Sequence, residues 1–131
     1  YGGCYLDADV EMKVSFEEII EKCQEDLIIP CSKMINSKKR LFNALIICKP
    51  MDERIGECIK KLMLVENETL VNFYHFNLEL MDEILKNKIN YKVYEEYLPK
   101  NFINFMLDPK DCYIVLENKT IVGKSKRNDY I

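Results

Sequence analysis

Tyr1-Gly2-Gly3-Cys4-Tyr5-Leu6-Asp7-Ala8-Asp9-Val10 opens the chain, and the fold is read outward from it. Two carboxylates one residue apart close an apolar run. On an extended backbone, residues i and i+2 point to the same side of the strand. Asp7 and Asp9 are therefore expected to grip one cation together. Carboxylate oxygens suit hard ions such as Mg²⁺ or Mn²⁺, and a site with one or two protein carboxylates completes its shell with water and substrate phosphates. The spacing suggests a metal that carries a diphosphate, although an isolated Asp-x-Asp is more often a solvated turn.

The flanking residues sharpen the reading. Tyr-Gly-Gly-x-Tyr-Leu-Asp-x-Asp-Val resembles the sugar-nucleotide motif of the DXD glycosyltransferases of the GT-A fold. It is most similar to the capsular-polysaccharide, mannosyl- and galactosyltransferases grouped as family 32. The resemblance implies an α/β fold: a GT-A-like, Rossmann-like mixed sheet flanked by helices, of which residues 1–131 form the C-terminal portion starting at the motif. It implies that Asp7 and Asp9 hold Mn²⁺ or Mg²⁺ and act in catalysis, Asp9 as the direct ligand and Asp7 reaching the ribose or a metal-bound water. Gly2, Gly3, Tyr5, Asp7 and Asn43 would contact the donor, a UDP- or GDP-sugar. The sugar would pass to a glycan or other hydroxyl acceptor with retention at the anomeric carbon.

Length and composition set outer bounds. A chain of 131 residues fits one domain, and with 48% hydrophobic residues it can bury a core. Nineteen Lys+Arg against 22 Asp+Glu give a net charge of −3, so no overall basic field argues for nucleic acid or an acidic membrane surface. No apolar run reaches the roughly 20 residues needed to span a bilayer, and no basic-then-apolar leader precedes Gly2. The start at Tyr1, inside the motif, reads as a cut from a longer protein, whose Golgi or membrane association would be invisible here. Cys4, Cys23, Cys31, Cys48, Cys58 and Cys112 form no C-x-x-C pair, and His75 is the only histidine, which argues against zinc. Free thiols beside apolar segments suit a reducing, cytoplasmic compartment.

Along the chain, Cys4 to Leu6 reads as a short strand. Ser15, Glu18, Val14 and Ile19 supply a capping box and a hydrophobic staple for a helix ending near Cys23, with Phe16, Ile19, Ile20 and Cys23 as its buried stripe. Leu27 to Cys31 predicts a brief strand that Pro30 confines to an edge or an end, and Lys33 to Arg40 a loop. Phe42 to Cys48 is a near-continuous apolar run, expected as a central strand covered on both faces. Asn43 stands at its head. In the resembling family an asparagine there lies near the donor sugar and is followed by a pair like Lys49-Pro50; the alternative is an amide that satisfies a loose backbone group.

A helix is expected from about Asp52 to Val65, with Ile55, Cys58, Ile59, Leu62 and Met63 as core, and the longest helical pattern spans Glu68 to Lys88. Relatives carry Thr-Gly-Pro near the start of this last element, where only Thr69 matches. His75 reads as a packed, hydrogen-bonded residue rather than a metal contact. Tyr91 to Tyr97 predicts a strand, and Leu98-Pro99 with Phe102, Phe105 and Met106 resembles an aromatic segment beside the active site or else is core. Cys112 to Glu117 and Thr120 to Lys124 form a hairpin in which Asn118 takes the positive φ of the turn. Lys124, Lys126 and Arg127 belong to a basic tail that is a solvated edge or, as in many glycosyltransferases, closes over the diphosphate. The terminal His-Trp element of relatives is absent.

The chemistry implied needs no nucleophile from the protein, because the cation neutralises the leaving diphosphate. Two other readings remain open. One is a truncated or degenerate transferase domain serving as a non-catalytic binding or folding unit. The other is a phosphotransferase, which no Gly-x-x-x-x-Gly-Lys loop supports.

Overall fold

The computed structural model describes residues 2–32, 40–66, 69, 76–98 and 111–125. Nine strands and three helices occupy them. In chain order these are β1 (Gly3–Leu6), β2 (Val10–Met12), α1 (Phe16–Cys23), β3 (Leu27–Ile28), β4 (Cys31–Ser32), β5 (Arg40–Leu41), β6 (Leu45–Cys48), α2 (Glu53–Leu62), α3 (Phe76–Leu85), β7 (Val93–Tyr97), β8 (Cys112–Leu116) and β9 (Ile121–Ser125). The strands form a small sheet in the order β1-β6-β3 and a large one in the order β2-β9-β8-β7-β4-β5. Every pairing is antiparallel except β4 with β7, so the fold is α/β with mixed pairing.

The apolar run at Leu45–Cys48 becomes the central strand of the small sheet, as its two-sided hydrophobicity requires. Leu45 and Ile47 face a core shared with Ile19 and Cys23 of α1 and with Val10, Val93, Ile114, Leu116 and Val122 of the large sheet. Ile46 and Cys48 face the opposite way, toward Ile55 and Cys58 of α2 and Ile84 and Leu85 of α3. The small sheet thus lies between a helical layer and the large sheet. A third cluster, with Cys31, Tyr94, Leu98, Tyr113 and Val115, covers the far face of the large sheet.

Local signals set the helix ends. Ser15 accepts a hydrogen bond from the Glu18 N–H at 3.2 Å, satisfying one of the amides left orphaned at the start of α1. Gln24 closes that helix in the left-handed conformation, φ 55°. Asp52 caps α2 by accepting from the Arg54 N–H at 3.0 Å. Pro30 limits β3 to two residues at the edge of the small sheet.

Several expectations need correction. Ile20, placed in the buried stripe of α1, is 41% exposed. Of the Phe42–Cys48 run only Leu45–Cys48 is strand, Asn43 and Ala44 forming a turn ahead of it. The expected strand from Leu27 to Cys31 is divided between β3 and β4, which belong to different sheets. The stripe on α2 is only partly core: Cys58 is buried, but Ile59 is 53% and Met63 80% exposed. Helical periodicity says which residues share a face, not how much of that face neighbours cover. In the β8–β9 hairpin the positive φ, 68°, belongs to Lys119 rather than Asn118. Asn118 instead uses its side-chain oxygen to accept from the Thr120 N–H at 3.0 Å, a local turn bond that fixes the chain without left-handed geometry at that residue. All six cysteines are free thiols, and no helix among the described residues is long and apolar enough to cross a membrane. Of the Lys33–Arg40 loop, residues 33–39 lie outside the described set.

Replacing Ser15 by Ala should cost about 1 kcal/mol of stability, because the Glu18 amide loses its acceptor. Urea unfolding of the two proteins checks this; an unchanged midpoint would mean that the cap contributes nothing.

Candidate functional site

β1 and β6 pair from Gly3↔Cys48 to Leu6↔Leu45. The ladder continues one step beyond the strand, with the Asp7 N–H donating to the Ala44 carbonyl at 2.9 Å. That bond sets Asp7 beside the Asn43–Ala44 turn, so two residues far apart in sequence meet at one end of the small sheet. The chain then reverses: the Val10 N–H donates to the Asp7 carbonyl at 3.1 Å, closing a turn through Ala8 and Asp9. Asp7 and Asp9 are therefore not successive residues of one extended strand. They lie at the first and third positions of a tight turn, Asp7 half-buried and Asp9 exposed.

The physical reason is the switch of sheets. β1 belongs to the small sheet and β2 to the large one, and only a sharp turn lets Val10 reach its place opposite Ser125. The Tyr5 hydroxyl donates to Asp7 Oδ1, which fixes that carboxylate and leaves its second oxygen to other partners. Neither acid is held in an ion pair with Lys or Arg among the described residues. Two uncompensated carboxylates on a four-residue turn match the donor set of a hard cation that draws its remaining ligands from water and phosphate. No group of three or more His, Cys, Asp or Glu gathers among the described residues, so no closed protein cage forms there.

Gly2 and Gly3 stand at the other end of β1, Gly3 about 13 Å from Asp7 at the usual rise per strand residue and Gly2 one step farther. A side chain on Gly2 would overlap the backbone of Lys49–Pro50 and the proline ring. This glycine is needed for close packing of the strand against that peptide. Gly3 has φ 143°, which a residue with a Cβ adopts only under strain.

Along the edge of the large sheet, Val10 pairs with Ser125, Ser125 with Cys112, and Cys112 with Tyr97. Asp9 and the ends of β7 and β9 consequently lie at one end of that sheet. Lys124 is engaged there: it pairs with Asp111 at 2.5 Å, and that contact raises its pKa. The Tyr113 hydroxyl also reaches Asp111, at 3.4 Å. His75, Pro99, Phe102, Phe105, Met106, Lys126 and Arg127 lie outside the described residues.

Two polar residues escaped the sequence reading. Glu95 in β7 and Ser125 in β9 are both buried. Alternation held the signal for Glu95, since Val93 and Glu95 share a face of the strand and Val93 is fully buried.

A separate hollow of about 420 Å³ is lined by Asp26, Lys49, Met51, Asp52, Glu53 and Arg54. Its cations are spoken for. Lys49 binds Asp26 at 2.6 Å, and Arg54 forks onto Asp52 with Nε to Oδ1 at 3.0 Å and Nη2 to Oδ2 at 2.6 Å. Arg54 also reaches the Lys88 carbonyl at 3.2 Å, which ties the start of α2 to the segment after α3. This hollow is a structural joint and offers no unengaged cation to a phosphate.

The hydrogen bonds from Arg54 hold the buried Asp52 carboxyl below the usual carboxylate range. A depressed folded pKa stabilises above the unfolded value of about 3.9, and that stabilisation is lost as pH falls through the folded pKa. Asp52→Asn should therefore flatten the acid side of the stability profile measured by urea unfolding. An unchanged acid slope would contradict the assignment. No family model, curated protein or solved structure matches this chain.

Proposed function

We propose that this chain is part of a GT-A-type glycosyltransferase domain that moves a sugar from a UDP- or GDP-sugar to the hydroxyl of a glycan or other acceptor. The observation that carries the reading is the junction of the acidic turn with the Asn43–Ala44 turn, made by the Asp7–Ala44 bond at 2.9 Å. The sequence motif ends at this junction, and the residue beside it is the asparagine that the motif's relatives place near the donor sugar.

In this reading Asp7 and Asp9 hold Mn²⁺ or Mg²⁺ jointly. The cation, when bound, supplies positive charge where the departing diphosphate becomes more negative. Asp7 contributes its oxygen not engaged by Tyr5, in an orientation set by the β1–β6 ladder. Asp9, exposed in the turn, binds from the solvent side. The Asn43 amide carries both donors and an acceptor and suits a sugar hydroxyl. No side chain has to form a covalent bond with the sugar, and no serine, histidine and carboxylate set was recognised in the sequence.

The protein bearing this chain should consume nucleotide sugar only with Mn²⁺ or Mg²⁺ present, as followed by release of the nucleoside diphosphate. Asp9→Asn should lower turnover about a hundredfold or more, equivalent to roughly 3 kcal/mol of transition-state stabilisation. Its far-UV circular dichroism should stay unchanged, because Asp9 is exposed and the substitution keeps its shape. Activity that survives chelation, or near-normal turnover by Asp9→Asn, would contradict the proposal.

A further inference from the structure

We draw no further inference here: the strongest candidate, the surface patch of exposed apolar side chains Ile59, Met63 and Leu64 at the C-terminal end of α2, carries nothing because nothing in the structure shows what covers it.

Discussion

The pairing of β1 with β6 is the constraint on which the rest depends. Its register, from Gly3↔Cys48 to Leu6↔Leu45, places a strand covered on both faces between α2–α3 and the large sheet. One further bond, from Asp7 to Ala44, decides where the acidic turn sits and what stands beside it. Slipping the register by one residue would move Leu6 to the helical side and turn Tyr5 into the main core. Asp7 would turn over together with Tyr5 and lose its place opposite Ala44. Packing of the small sheet and geometry of the candidate site are consequences of one ladder.

The same ladder explains the difference between its two ends. At the Asp7 end the chain must jump from one sheet to the other within a single turn, which exposes Asp9, and no Lys or Arg among the described residues pairs with either carboxylate. At the Gly2 end the strand presses on the Lys49–Pro50 peptide, where only a glycine fits. The neighbouring charges there are consumed by structure: Asp26 with Lys49, and Asp52 with Arg54. Among the described residues, charges are paired where the helix α2 joins the sheet and carry no Lys or Arg partner where the motif ends. Uncompensated carboxylates are poor material for stability and good material for a cation.

Much of the fold was legible because local and global signals agreed. Ser15 and Glu18 marked the start of α1, and the apolar run from Phe42 to Cys48 marked a strand covered on both faces, of which the structure forms Leu45–Cys48. The turn at Asp7–Asp9 was less legible, since Asp-Ala-Asp suits an extended strand and a tight turn equally. What decided it was the assignment of β1 and β2 to different sheets, a long-range fact invisible in ten residues. The exposed face of α2 was missed for a similar reason, as Ile59 and Met63 keep the helical period of Cys58 but no neighbour closes over them. In the hairpin, Asn118 and Lys119 compete for the same geometry, and the side-chain bond from Asn118 to Thr120 settled it against propensity. For the site, Asp7 and Asn43 were both named from sequence, while their adjacency came only from the register.

The central claim is that the Asp7–Asp9 turn, with Asn43 beside it, receives a divalent cation carrying a diphosphate. Paramagnetic broadening of backbone amide resonances by Mn²⁺, with and without a nucleoside diphosphate, tests it most directly. The account predicts selective loss of signal at Asp7, Ala8, Asp9 and Val10 and at Asn43 and Ala44, strengthened by the diphosphate and absent in Asp9→Asn. Broadening centred on Asp26, Asp52 and Glu53 instead, or none at the acidic turn, would contradict it.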